Sequence, residues 1–322
     1  MRTATPSLFV RCCRWAGRGA ALLVLGLVLG ACDSEDLGDA APTTPTIAEY
    51  VTEIPAFTAL SAAVQEAGLA ETLDTGGPFT VFAPVDAAFV PAIDASLNRQ
   101  VAEKVLLHHV VAAVDSADAL RARAAAGQAL TPLAGADLTV TVIDEDGEGA
   151  DTIRVNAATI TNADAAAANG LVHVVDRLLG DAVDRATLTP RFTLFARLVR
   201  EAGLEGALRT AGPSDGRTIF APTNAAFLDA LDANDNGEIE SGEIPGNAAD
   251  ILQYHVVNGA VQAGDVPTTE TTLTTLEGST LTVVRTGDAV TVNPANEAAT
   301  VTTPDVIVDN GVIHGIDVVL TP

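Results

Sequence analysis

The densest run of chemistry-bearing residues is Asp232-Ala-Asn234-Asp-Asn236-Gly237-Glu238-Ile-Glu240-Ser-Gly-Glu243. It meets the pattern D-x-[DN]-x-[DN]-G-x5-E at every defined position. Such spacing builds a cage of oxygens for a hard cation, and calcium takes six to eight of them in flexible geometry. Asp232, Asn234, Asn236, Glu238, Glu240 and Glu243 are the candidate oxygen ligands. Gly237 allows the sharp turn. Ala225–Leu231 is expected as the entering helix. Pro245 and Gly246 follow so soon that no full exit helix is expected, and a structural ion is favoured over a switch. The competing reading is a solvated acidic loop.

The chain has five histidines: His108, His109, His173, His255 and His314. Each lies in an apolar run, such as VLLHHVV or GVIHGIDVVL. One reading is a metal or acid–base pair; the favoured one is a structural ring whose nitrogens bond nearby backbone. No Asp/Glu/His cluster stands beside them at ligand spacing. There is no G-x-S-x-G, no P-loop, and no G-x-G-x-x-G opening a helix after a strand. The expectation is therefore a protein that is not an enzyme. The 17 basic against 42 acidic side chains, a net charge of −25, argue against nucleic-acid partners, since phosphate backbones are held by Lys/Arg patches.

All three cysteines, Cys12, Cys13 and Cys32, lie near the start of the chain. That excludes a disulfide framework or a Cys-held metal in the body of the protein. Residues 1–18 carry four arginines and no acid, and Gly19–Gly30 is apolar but too short to span a bilayer. Leu29-Gly-Ala-Cys32 then resembles the lipobox of bacterial lipoproteins. The resemblance implies cleavage after Ala31 and a lipid on the Cys32 thiol. Residues 1–31 are thus expected to be a signal peptide, and 32–45 an acidic, Pro/Thr-containing tether. The localisation expected is the cell envelope, anchored to a membrane, with the domains outside the cytoplasm, at the outer membrane or cell surface.

The elements that must position these residues are written twice. Phe57, Leu60 and Val64 match Phe192, Phe195 and Val199 at helical spacing, with Gly68 and Gly203 suited to the helix end. FTVFAPVDAAF at 79–89 matches TIFAPTNAAF at 218–227: a β-rich run stopped by Pro84 or Pro222, then a helix start capped by Asp86, or by Thr223 or Asn224. VLLHHVV at 105–111 matches ILQYHVV at 251–257. NGLVHVVDRLL at 169–179 matches NGVIHGIDVVL at 310–320, and Asn-Gly signals a hairpin turn. Leu138–Ile143 and Leu281–Val284 read as strands. The acidic run 144–151, containing Asp146-Gly147, reads as a hairpin tip. Two α+β domains result, 46–183 and 186–322, the second carrying the acidic loop at 232–243.

These blocks, in this order and in both copies, resemble the fasciclin (FAS1) domain, and 232–243 resembles an EF-hand loop. The loop resemblance implies side-chain oxygens from Asp232, Asn234 and Asn236, the Glu238 backbone carbonyl, a contact through water from Glu240 and a bidentate Glu243. For the domains, the resemblance implies a wedge of β-strands with packed helices. It implies adhesion, or matrix and cell-surface association, through proteins or polysaccharides, without catalysis. An envelope binding protein for a polysaccharide or small ligand is the alternative. The first domain departs twice, with Val85 for Thr and His108 for Tyr. In some animal members a Pro-Asp-Ile-type stretch before the last block contacts receptors; Pro304-Asp305-Val306-Ile307 occupies that place. Asp305 and Val306, with Tyr254 and His255, are the candidate partner contacts. The competing reading is a strand-edge aspartate with a packed neighbour.

Overall fold

The computed structural model describes residues 44–89, 93–94, 96, 98–143, 151–210, 216–293, 295 and 298–322. These belong to one compact unit, Thr43–Pro322. The signal segment, most of the tether with Cys32, and residues 144–150 lie outside the described residues. Among the described residues, no helix is long and apolar enough to cross a membrane.

Each half is an α+β domain built round one mixed sheet. In the first, β1 (Phe79–Pro84), β2 (Val110–Val111), β3 (Val140–Ile143), β4 (Thr152–Val155), β5 (Ala158–Ala167) and β6 (Gly170–Val175) run in the order β2-β1-β6-β5-β4-β3. In the second, β7 (Arg217–Pro222), β8 (Val256–Asn258), β9 (Thr271–Thr274), β10 (Thr280–Thr286), β11 (Ala289–Val292), β12 (Ala299–Val308) and β13 (Gly311–Ile316) run β8-β7-β13-β12-β11-β10-β9. The β1–β6 and β7–β13 pairs are parallel, and their neighbours are antiparallel. β1 and β7 are buried along their whole length, as expected of a strand covered on both faces.

Alternation along β1 splits its side chains between two cores. Phe79, Val81 and Ala83 join Phe57, Leu60 and Val64 under the helices, whereas Phe82 joins Leu120, Leu138 and Val155 inside the β-wedge. The second half repeats the division with Phe192, Phe195 and Ile219 on one side and Phe220, Leu281 and Val292 on the other. The helical layer of the first half is α1 (Ile47–Glu53), α2 (Thr58–Ala67), α3 (Ala70–Thr75) and α4 (Arg99–His108), with α5 (Ala117–Ala126) against the wedge. The second has α6 (Ala182–Leu188), α7 (Thr193–Glu201), α8 (Glu205–Arg209), α9 (Asn224–Leu231) and α10 (Ala248–Tyr254). Gly68 and Gly203 end their helices with φ of 75° and 69°.

The Asn-Gly turns join β5 to β6 and β12 to β13. A Cβ on Gly170 would meet the Phe79 carbonyl oxygen at 2.0 Å, and one on Gly311 the Arg217 oxygen at 1.9 Å. Only glycine lets the turn lie against the adjoining parallel strand.

The boundary read in the sequence falls within α6. α6 runs unbroken through 183–186, and Asn310 Oδ1 accepts from the Ala182 N–H at 2.9 Å just as Asn169 Oδ1 accepts from the Ile47 N–H at 2.9 Å. α6 is thus the twin of α1 and opens the second domain. All seven of its residues are buried, because the first domain covers its other side.

The capping expectation holds for Thr223, whose hydroxyl accepts from the Ala226 N–H and starts α9. Val85 offers no such oxygen, and Asp86–Phe89 is a single 3-10 turn. Asp86 and Asn224 do something else: their side chains accept from the Ala59 and Leu194 N–H groups at 2.8 and 3.0 Å. They cap α2 and α7 from a distance in sequence.

Candidate functional site

Four histidines form two repeated clamps. At the end of α4, His109 Nδ1–H donates to the Val105 carbonyl at 2.7 Å, and its Nε2 accepts from the Leu179 N–H at 2.8 Å. His255 does the same with the Ile251 carbonyl and the Leu320 N–H, at 2.8 and 2.9 Å. Burial pushes His109 down to about 3 and His255 down to about 4. On β6, His173 Nε2–H donates to the Asp115 carbonyl at 2.8 Å and Nδ1 accepts from the Asp164 N–H at 3.2 Å. His314 on β13 matches it with Val261 and Asp305. Burial again lowers both pKa values. Phe82 and Phe220 stack on these rings at 5.7 Å. Each neutral ring spends both nitrogens on backbone. None keeps a lone pair for a metal or a proton to transfer, which decides for the structural reading.

The same geometry explains Asp305. It and Asp164 adopt left-handed backbone, φ 57° and 60°, at matching irregularities of β12 and β5. Their carboxylates accept from the Ala263 and Ala117 N–H groups at 2.8 and 2.9 Å. Asp305 is exposed, but it belongs to a clamp present in both halves. Tyr254, His255 and Val306 are at most 5% exposed, so the proposed partner contacts at these three positions are corrected: they are core residues. The Tyr254 hydroxyl donates to the Thr280 carbonyl at 3.0 Å and accepts from Asn293 at 3.2 Å.

The acidic loop follows α9, as expected. Asp232 Oδ1 accepts from the Asn236 N–H at 3.2 Å and Oδ2 from the Gly237 N–H at 2.7 Å. Asn234 and Asn236 accept from the Asn236 and Glu238 N–H groups, at 3.0 and 2.8 Å. Glu243 closes the ring by accepting from the Ala233 and Glu240 N–H groups at 3.0 and 2.9 Å, and Glu240 Oε1 accepts from Asn236 Nδ2 at 3.2 Å. The Glu238 side chain is exposed. Ile239 is buried in the helical core, and Arg197 donates to its carbonyl at 2.8 Å. No helix leaves the loop directly: α10 starts only at Ala248, beyond Pro245, in line with the expectation of no full exit helix. The donors are all oxygens, which suits a hard cation. Among the described residues, however, no three His, Cys, Asp or Glu side chains stand grouped to hold a metal. The loop's oxygens are turned onto its own N–H groups.

A site that sequence reasoning missed lies where the domains meet. Lys104 on α4 pairs with Asp184 on α6 at 2.5 Å, and Arg209 on α8 bonds both Asp181 and Asp184. Burial, then repulsion by Asp184, raises the Asp181 pKa against the pull of Arg209 and Lys104. Beside them, a cleft of about 630 Å³ is lined by Lys104, His108, Asp137, Asn156, Arg209 and Asp309, among others. The available signal was His108, where the twin has Tyr254, and Asp309, where the twin has Ala168.

Comparison with known proteins fits this geometry. The fasciclin domain model matches residues 55–181 and again 190–322. The chain belongs to the fasciclin domain family. It is 38% identical over 141 residues to protein sll1483 of Synechocystis, covering 42% of this chain and 72% of that protein. It is 33% identical to human periostin over 175 residues, covering 53% of this chain and 20% of periostin. It is 32% identical over 171 residues to the pig transforming growth factor-beta-induced protein ig-h3, covering 53% of this chain and 24% of that protein. The chain therefore spans a quarter or less of the two animal relatives. A solved fasciclin domain pair from the insect cell adhesion molecule Fasciclin I is 18% identical, with coverage of 81% of this chain and 92% of that one and a TM-score of 0.38.

Proposed function

We propose that this chain is an adhesion module of the cell envelope. Its two fasciclin domains would be held outside the cytoplasm by a lipid on Cys32 and would contact matrix or cell-surface proteins. The observation that carries this reading is the family match in both halves. The histidine clamps support it, since the polar residues common to both copies are spent on holding the fold. Two or more acyl chains make anchoring stable, because each buried methylene contributes about 0.8 kcal/mol. Replacing Cys32 by Ala should move the protein from membrane to soluble fractions; unchanged fractionation contradicts the anchor.

Calcium in the second domain is part of the same proposal. Asp232, Asn234, Asn236, Glu240 and Glu243, with the Glu238 carbonyl, would hold it, the carboxylates and amides exchanging their bonds to loop N–H groups for the ion. Calcium would then brace the loop and the exposed face around it. Calorimetry tests this. A single site lost in Glu243→Ala supports it, and no heat up to millimolar calcium contradicts it.

The alternative, a polysaccharide or small-ligand binder, draws on one observation: the cleft of about 630 Å³ between the domains, a size typical of ligand sites. Its wall is charged, with no tryptophan to stack on a sugar, so adhesion through the outer surface is favoured.

A further inference from the structure

We propose that His108 and Asp309 form a proton-dependent latch that holds the seam between the two fasciclin domains closed. His108 ends α4 of the first domain and is only 7% exposed. Its Nε2 faces Asp309 Oδ2 at 3.0 Å, and its Nδ1 faces the Ala134 carbonyl at 3.0 Å. Both partners are acceptors. A neutral imidazole has one N–H and satisfies one of them; the imidazolium has two and satisfies both. This sets His108 apart from the four clamp histidines, each of which meets one donor and one acceptor.

Asp309 is fixed to receive it. It lies in the β12–β13 turn, its Oδ2 also accepts from the Gly180 N–H at 2.9 Å, and its own N–H donates to the Gly180 carbonyl at 2.9 Å. The latch thereby joins α4, the linker and the second domain's turn. Both residues are departures between the twins. Tyr254 at the His108 position bonds within its own domain, and Ala168 at the Asp309 position has no carboxylate.

The charges around the ring come from every side of the seam. Asp309 faces it from the turn. Lys104 lies one helical turn back on α4, Asp181 stands just before α6 and Asp184 on it, with Arg209 of α8 between them, and Asp137 borders the cleft. Burial opposes the charged ring and Lys104 repels it. The bond to Asp309, its charge and the Ala134 carbonyl outweigh both, and the pKa is raised above the ordinary 6.5. A raised folded-state pKa means that the latch contributes fully below 6.5 and is lost as pH rises through the higher folded value.

The test uses the full chain with histidine ring carbons labelled, followed by NMR from pH 5 to 9, with peaks assigned by single substitutions. His108 is expected to titrate with a midpoint above 6.5 and the four clamp rings below it, and Asp309→Asn to bring the His108 midpoint to 6.5 or below. The seam itself is read by hydrogen exchange of the Asp94 and Gly180 amides. Asp94 N–H donates across the seam to the Leu188 carbonyl at 2.7 Å. After correction for intrinsic rates, opening should rise about tenfold from acid to alkaline pH for each unit by which the midpoint exceeds 6.5. If Asp309→Asn does not fold, His108→Tyr, which installs the second domain's own residue, should abolish the pH dependence of exchange. A midpoint at or below 6.5, or seam exchange that does not change with pH or with either substitution, overturns the latch.

Discussion

The two domains carry the same histidine pair, the same Asn-Gly turn and the same left-handed aspartate, and four of their differences stand out. Val85 stands against Thr223, His108 against Tyr254, and Ala168 against Asp309; residues 232–243 are an insertion in the second domain. The shared histidines, turn asparagines and left-handed aspartates are spent on backbone within their own domain. The departures behave differently: two meet across the seam, one changes a helix cap, and one builds an oxygen-rich loop. In a duplicated chain, sameness marks what the fold requires, and difference marks where one copy has been given something of its own.

The largest effects should be equal in the two halves. Gly170→Ala and Gly311→Ala each drive a Cβ into the carbonyl of the parallel strand. Each should cost more than about 4 kcal/mol or prevent folding, measured by denaturant unfolding. A strong effect in one half alone breaks the equivalence of the twins. Next, Leu60→Ala and Phe195→Ala, on matching helix faces, should cost about 2–5 and 3–5 kcal/mol.

A smaller step concerns the clamps. His109→Phe and His255→Phe strand the Leu179 and Leu320 N–H groups, at a cost of about 1–3 kcal/mol each. The wild-type clamps also give stability a pH slope. Their folded pKa values are depressed, so the unfolded chain binds more protons below pH 6.5. Stability should fall as pH drops from about 6.5 towards 4 and 3, opposite in sign to the His108 latch. Thermal melts of wild type against His108→Tyr from pH 4 to 9 separate the two slopes. The smallest predicted effect sharpens the capping contrast. Thr223→Val should destabilise by about 1 kcal/mol, whereas Val85→Thr should stabilise by up to about the same amount if the first domain's shorter turn owes its length to the missing oxygen.

Much of the fold was legible in the sequence because its signals are local or duplicated. The Phe/Leu/Val spacing marked the α2 and α7 faces, prolines marked the ends of β1 and β7, and Asn-Gly marked the hairpins. The burial of the histidines followed from the apolar runs around them. What was not legible depends on chain segments far apart. Asp86 and Asn224 cap helices lying before them in the sequence, and no local pattern announces that. The boundary was read inside α6 because its twin, α1, gives little sequence similarity beyond its place. His108 was visible as a departure, but its partner lies in the other domain and became apparent only when the seam was folded. Tyr254 and Val306 were candidate contacts on motif position alone; the fold buries Tyr254 inside the β-wedge and Val306 under the helices.

The adhesion reading is tested most directly by displaying the folded full chain to an array of matrix proteins and glycans, with and without calcium. Retention on protein partners is predicted. It should weaken when calcium is removed and in Glu243→Ala, and it should persist in His108→Tyr. Folded chain that shows no retention on any surface in either condition would contradict it.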